Sequence, residues 1–329
     1  MVKTVQITLR QIAWDLVSPD LDDVRLAHTI EAYKNLLISS SGFDPGGEPE
    51  KADIHLSGGK AIGAAWAAMC VEDLIRTRMF VKGLYEAVTA RLSAGKKTVR
   101  VLYAGCGPFA TLALPLTTLF EPSEVQFELI EINPLSLESV RRLIRNMDLE
   151  SWFPEISEAD ATKFRITKEP DIILSETMQR ALLEEQQVPI IYNLLSQVGN
   201  RCVLVPEKIE LSVGWWNPKL DPDSRIRKIA PFFELSATAF DRAIAETLKQ
   251  GEAVKFPGAT IDRNALHSPI GGRLAVFTDI QTYGQNRILP NESGLTTPLL
   301  LAENPKENAG LKIGYALREK PAIDLDFFI

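Results

Sequence analysis

Val99-Arg100-Val101-Leu102-Tyr103-Ala104-Gly105-Cys106-Gly107-Pro108-Phe109-Ala110 is the stretch whose reading decides the fold. Val99, Val101 and Tyr103 alternate as a buried strand would, and Ala104 to Pro108 is a glycine turn. The apolar, helix-length segment Thr111 to Phe120 follows, so the unit is expected as strand, phosphate-type turn and helix. A second apolar run, Phe127-Glu128-Leu129-Ile130, ends on Glu131, and a third, Asp171-Ile172-Ile173-Leu174, ends on Ser175-Glu176. From Val99 to about Pro206 this alternation predicts an α/β domain built on a doubly wound parallel sheet. Ligands bind such sheets where the strands end. A glycine turn and two carboxylates arriving at one edge are therefore the candidate site.

Upstream of the sheet, Leu26, Ile30, Tyr33 and Leu37 stand at helical spacing, and one helix is expected up to about Ser41. A second helical segment is expected from about Ala61 to Leu92. Downstream of Pro206 the texture changes to short alternating runs: Ile209 to Val213, Leu274 to Ile280, Leu311 to Tyr315 and Ile323 to Phe327. These predict an antiparallel, β-rich C-terminal domain. Phe240, Ile244 and Leu248 predict a helical insertion near 232–250, a candidate contact for a homodimer. Trp215-Trp216 and Gly271-Gly272 read as loops or edges. The expected divisions are 1–98, N-terminal helices; 99–207, the parallel sheet; and 208–329, the β-rich domain. Internal repeats and low-complexity tracts are absent.

The totals exclude several classes. With 45% apolar and 24% charged residues, the chain reads as an ordinary globular protein, and its 329 residues can bury two cores. It carries no apolar run long enough to span a bilayer, and its first twenty residues lack the order of a signal peptide, so a cytoplasmic location without membrane contact is expected. Cys70, Cys106 and Cys202 lack disulfide-framework or metal-ligand spacing, and no metal site is expected. The net charge of −7 disfavours a nucleic-acid partner and favours a cationic or small neutral substrate.

Individual residues carry open alternatives. Gly105-x-Gly107 lets backbone approach a ligand, and Glu131 at the next strand end can accept the hydroxyls of a ribose. That pattern suits NAD as well as S-adenosylmethionine. Asp160 is either a turn aspartate or an acceptor for an adenine amino group. Arg76 is either half of a surface pair with Glu72, four residues earlier on a helix, or a functional cation. Glu176 and Glu185 stand nine residues apart, a rotation of about 900° on a continuous helix, so they converge only if the chain doubles back. Two carboxylates brought together repel unless a cation lies between them. The segment is thus either a solvated acidic loop or a clamp for a guanidinium or ammonium, with Glu184 an alternative to Glu185. His28, His55 and His267 have no adjacent carboxylate and read as packing or surface residues.

Taken together, these residues resemble the protein arginine methyltransferases, class I S-adenosylmethionine enzymes, over most of the chain from about Ala68. Asp73-Leu74-Ile75-Arg76-Thr77 is similar to the D-x-x-R-T helix of that family. Ala104 to Pro108 resembles its motif I in the G-x-G-P form, and Glu131-Ile132-Asn133-Pro134 its ribose-binding segment. Ser175-Glu176-Thr177-Met178, with Glu185 following, is similar to its double-E loop, and Ile323 to Phe327 to its closing strand. The resemblance implies S-adenosyl-L-methionine as cofactor, held by Arg76, Gly105, Gly107, Glu131 and Asp160. It also implies Glu176 and Glu185 as catalytic residues, and Asp73, Met178 and Thr297 around the acceptor. Thr296-Thr297-Pro298 replaces the T-H-W loop of the family, Tyr103 and Phe109 depart from motif I, and the region after Pro206 is short. The altered loop and the short C-terminal region favour free arginine or a small guanidino compound over arginine in a protein as the acceptor. The remaining alternative is a cofactor-binding scaffold without turnover.

Overall fold

The computed structural model describes residues 2–44, 46–47, 52–56, 59–267, 271–302 and 309–329. Two helices, α1 (Val2–Val17) and α2 (Asp23–Ser41), stand where one was expected. The chain breaks at Ser18-Pro19, and Asp22 caps α2 by accepting from the Arg25 amide. Leu9, Ile12 and Leu16 bury one face of α1. A hairpin follows, β1 (Ile54–Leu56) and β2 (Gly59–Ala61). The expected long helix from 61 to 92 is two, α3 (Ala64–Met69) and α4 (Leu74–Ser93), joined by a 3₁₀ turn at Cys70–Glu72. The break falls at Asp73, whose extended backbone (ψ 99°) cannot continue a helix and whose carboxylate accepts from the Arg76 amide as N-cap.

The parallel sheet consists of β3 (Val99–Ala104), β4 (Val125–Glu131), β5 (Glu155–Glu158), β6 (Ile172–Ser175) and β7 (Val203–Val205). Helix α5 (Pro134–Asn146) connects β4 to β5, and α6 (Gln187–Val198) connects β6 to β7. The strand order is β5-β4-β3-β6-β7, so the chain winds outward from β3 on one side, then returns to its other side. This reversal brings the ends of β3, β4 and β6 to one edge. One expectation fails here. Thr111 to Phe120 is not an α-helix but turns followed by a 3₁₀ turn, Leu114–Thr118. Pro115 explains it, because inside an α-helix its ring would clash and it donates no hydrogen bond. Helix α1 packs on this turn instead.

After the sheet come β8 (Lys208–Trp216), β9 (Ile226–Ser236), α7 (Arg242–Lys249), β10 (Val254–Lys255), β11 (Ala259–Ile261), β12 (Arg273–Tyr283), β13 (Asn286–Ile288), β14 (Leu299–Ala302), β15 (Gly310–Leu317) and β16 (Pro321–Phe328). They form two antiparallel sheets, one ordered β13-β12-β8-β9 with β14 on β12, the other built around β15. The inserted helix is α7 alone, since residues 232–236 belong to β9. Its apolar stripe faces inward: Phe240, just before it, lies 5.3 Å from the Tyr192 ring of α6, and Ala245 is buried. That stripe packs, partly buried, against the core of this chain. Trp215 and Trp216 lie in β8, not in a loop, and Trp215 is fully buried. His28 and His267 are exposed, and the side chain of His55 lies outside the described residues.

The antiparallel sheets are fixed to the helices upstream of the parallel sheet through α4, β12 and β13. Thr282 Oγ1 donates to Met79 O at 2.8 Å, and Asn286 Nδ2 to Glu86 Oε2 at 2.6 Å. Gly83 allows this approach, since a Cβ there would come within 2.5 Å of Thr282 Oγ1. Among the described residues, no helix is long and apolar enough to cross a membrane.

Candidate functional site

The sheet edge opens into a cleft lined by Gly105, Gly107, Glu131, Asp160, Arg76, Glu176 and Glu185, all seven named above on sequence grounds. Gly105 has φ 72°, and a Cβ there would meet Thr177 Cγ2 at 2.2 Å, so the turn requires glycine. The Gly107 amide donates to Glu131 Oε2 at 2.7 Å. Glu131 Oε1 accepts from the amides of Ile132 and Asn133, both at 2.9 Å. Burial pushes this carboxyl up, and the three amides pull it back. Asn133 then caps α5, with Pro134 in its first turn. Asp160 is a turn aspartate at the edge of the cleft, and its Oδ2 pairs with Lys163 at 3.2 Å. Its Oδ1 accepts from the Thr162 amide (2.9 Å) and hydroxyl (2.6 Å).

Arg76 is not paired with Glu72, which binds Lys34 instead. The break at Asp73 puts Arg76 in the first turn of a new helix, where its guanidinium forms a buried ion pair with Glu176 Oε2. The other oxygen of that carboxylate, Oε1, is buried and has no hydrogen-bond partner. Glu176 and Glu185 do converge, because the chain doubles back through a 3₁₀ turn, Arg180–Leu182. Ala181 and Leu182 at its apex take positive φ (56° and 57°). The second domain holds that apex: the Ala181 amide donates to Thr278 Oγ1 at 3.1 Å, and Tyr315 Oη donates to Leu182 O at 2.7 Å.

Gln187 closes the two arms of the loop, a role the sequence reading missed. Its Nε2 donates to Ser175 O at 3.0 Å, and its Oε1 accepts from the Thr177 amide and hydroxyl, each at 2.9 Å. A buried glutamine two residues after Glu185 was the available signal. Lys60 was also missed. Its amide donates to Glu184 O at 3.0 Å, and its ammonium reaches Glu184 Oε2 at 2.9 Å and Asp53 Oδ2 at 3.1 Å. Glu184 and Glu185 thereby differ in surroundings. Glu184 turns out to Lys60, whereas Glu185 is 8% exposed and lines the cleft without a hydrogen bond or ion pair of its own among the described residues. Burial first, then the Glu176 charge, pushes the Glu185 carboxyl up to about 8. Burial lifts Glu176 to about 7, against the pull of Arg76.

Arg76, Glu185, Lys60, Ile62 and Cys70 also border a second, outer cleft, which Asp73, Met178, Arg180 and Thr297 line. Met178 is buried, and Thr297 Oγ1 donates to Ser293 O at 3.3 Å. Asp73 Oδ2 accepts from Ser293 Oγ at 2.6 Å and the Gly294 amide at 2.9 Å. These two donors satisfy that carboxylate oxygen. Asp73 thus joins α4 to the 3₁₀ turn Gly294–Thr296 of the second domain. Asp73→Ala is expected to cost about 2–4 kcal/mol, a lost cap plus two hydrogen bonds to a charged group, in urea-induced unfolding. A change below about 0.5 kcal/mol would contradict this role.

No protein-family model matches the chain, and no curated protein matches its sequence. Solved structures do match. The Trypanosoma brucei PRMT1 enzyme–prozyme heterotetrameric complex with AdoHcy aligns with TM-score 0.53 and 15% identity, covering 79% of this chain and 92% of that one. Arabidopsis thaliana protein arginine methyltransferase 10, in an open conformation, aligns with TM-score 0.50 and 12% identity, covering 78% and 96%. The shared property is the fold: a class I methyltransferase sheet followed by antiparallel sheets in a C-terminal domain.

Proposed function

We propose that this chain is an S-adenosyl-L-methionine-dependent N-methyltransferase acting on the guanidino nitrogen of free L-arginine or a small guanidino compound. The observation that carries the reading is the pair of buried carboxylates at the cleft floor. Glu176 Oε1 lacks a donor, and Glu185 makes no hydrogen bond or ion pair among the described residues although the Arg76 and Lys60 charges act on it. Buried, unpaired carboxylate oxygens are costly, and a planar guanidinium with five donors satisfies both. The cofactor identity is supported by the fold shared with arginine methyltransferases, one of them in complex with AdoHcy.

The cleft suits that cofactor chemically. Gly105 and Gly107 would let it approach the backbone, Glu131 would accept its ribose hydroxyls, and Asp160 its adenine amino group. Arg76 would hold its carboxylate while remaining tied to Glu176. When bound, it supplies a methyl group on a sulfonium, an electrophile for nitrogen. A guanidinium is a poor nucleophile because its lone pairs are delocalised. Glu176 and Glu185 would draw positive charge to the nitrogens they bind, leaving electron density on the third, and would align it for in-line displacement. Methylation releases one proton from that nitrogen, and the Glu185 carboxylate, lifted to about 8, is basic enough to accept it.

A small acceptor is favoured by the hairpin β1–β2, which lies across the clamp. Lys60 bridges to Glu185 along the backbone, and a Cβ on Gly59 would come within 2.9 Å of Glu184 O. The test is mass spectrometry of products after free L-arginine and an arginine-rich peptide are offered together with a methyl-labelled donor. Label on free arginine is expected. Label on the peptide alone would replace the substrate class, and binding of S-adenosylhomocysteine without labelled guanidine would favour a scaffold.

The pH dependence has a definite sign. A guanidinium stays charged throughout the neutral range, so the clamp titrates rather than the substrate. Glu176 and Glu185 rise to about 7 and about 8 and must be ionised to grip a cation. Hence kcat/KM, which reports the free enzyme, is expected to climb from about pH 6 through pH 8 and to level off above about pH 9. A profile flat across that range would contradict the clamp.

A further inference from the structure

The outer cleft carries charges of both signs, and most are paired within the protein. Lys60 lies between Asp53 and Glu184, Arg76 binds Glu176, and Asp73 binds Ser293 and Gly294. Two ionisable side chains are left without an ion pair among the described residues. One is Glu185 on the floor. The other is Arg180, an exposed residue that lines the same cleft and makes no hydrogen bond or ion pair among the described residues. Its position is not arbitrary. Arg180 opens the 3₁₀ turn whose next two residues are held by Thr278 and Tyr315, so its backbone is fixed between the two arms bearing Glu176 and Glu185.

A cleft with an unpaired carboxyl on its floor, ionised when a cation enters, and an unpaired cation on its wall is complementary to a molecule that carries a guanidinium and a carboxylate. The geometry points to Arg180 as the specificity-determining residue that binds the carboxylate of a free guanidino acid, whose guanidinium enters the Glu176–Glu185 clamp. This rests on the guanidine reading above and narrows it. The fork of an arginine matches a carboxylate through two parallel hydrogen bonds, which a lysine would not reproduce. The acceptor is thereby an amino acid or an ω-guanidino acid rather than a decarboxylated guanidine. No bond forms or breaks at Arg180, and its effect is on substrate choice.

The test is calorimetric binding to the full chain loaded with S-adenosylhomocysteine. Its ligands are L-arginine, its decarboxylated analogue agmatine, and a peptide with acidic residues flanking one arginine. In the unmodified protein L-arginine is expected to bind about ten- to a hundredfold more tightly than agmatine, the range for hydrogen bonds to a charged group. In Arg180→Gln that ratio falls toward one, and Arg180→Lys recovers part of it. Because Arg180 is exposed and makes no internal bond, the variant folds, which near-ultraviolet circular dichroism verifies. A ratio unchanged in Arg180→Gln, or absent from the unmodified protein, overturns the role of Arg180 and leaves the guanidine reading standing. A peptide that binds more tightly than L-arginine overturns the free-acid assignment. If no guanidine binds at all, the reading of the clamp itself fails, and this inference with it.

Discussion

Glu185→Gln is expected to lower kcat by about 10²- to 10³-fold while leaving S-adenosylhomocysteine affinity within about twofold, since the change removes one preorganised charge from the reacting centre. The residue makes no ion pair or hydrogen bond that the fold would miss, so the substitution does not undermine its surroundings. Stability moves the other way, and the sign follows from linkage. Burial lifts the carboxyl from the ordinary glutamate range to about 8. The folded state therefore binds a proton more tightly than the unfolded state, and stability falls as pH rises from about 4.5 through about 8. Above that range the native protein must carry a buried anion, which glutamine avoids. Glu185→Gln is expected to be more stable than the parent at pH 9 and nearly equal to it at pH 4, read from urea unfolding at both. Equal turnover, or a variant less stable at pH 9, would contradict a functional, strained carboxylate at this position.

Arg76→Ala is expected to have the largest effect on the fold and on the cofactor together. The Arg76–Glu176 pair is buried on both sides, with 14% and 4% of the side chains exposed. Removing one partner of such a pair leaves the other charge uncompensated and costs about 3–5 kcal/mol. The cost has a pH signature. Glu176 takes a proton more readily once its cation is gone, so the deficit measured at pH 8 should shrink below about pH 6. Affinity for S-adenosylhomocysteine is expected to fall as well, through loss of the cation proposed to hold its carboxylate. Arg76→Lys should restore part of the stability but little of the affinity, because an ammonium is a point charge without the planar fork. Unfolding and calorimetry at the two pH values separate these effects. A deficit independent of pH would mean that lost packing, not lost charge, is responsible.

The sheet edge was legible because its signals are local. Apolar runs ending on Glu131 and on Ser175-Glu176, beside Gly105-x-Gly107, place their own termini once the strands are parallel. The convergence of Glu176 and Glu185 was legible only as a condition. What enforces it is distributed: Gln187 across the loop, and Thr278 and Tyr315 from strands about a hundred residues away. The different surroundings of Glu184 and Glu185 depend on a backbone bridge from Lys60, which turns successive side chains to opposite sides. Two misreadings share a cause, a strong periodicity overriding a single residue. Pro115 ends the helix expected after the glycine turn, and Asp73 splits the one expected from 61 to 92. The helix α1 was missed although Leu9, Ile12 and Leu16 carry its spacing, because the stripe in α2 drew the whole N-terminal segment into one element.

The clamp makes one demand that no other arrangement of this cleft shares: a guanidinium entering it must displace a proton. The most direct measurement is the number of protons released when L-arginine binds the S-adenosylhomocysteine-loaded protein at pH 7, obtained by calorimetry in two buffers of different ionisation enthalpy. With Glu185 at about 8 and Glu176 at about 7, the first carboxyl is mostly and the second about half protonated before binding and both are ionised after it, so release of about one to one and a half protons is expected, most of it from Glu185. Binding without proton release, or release that persists undiminished in Glu185→Gln, would contradict a carboxylate clamp.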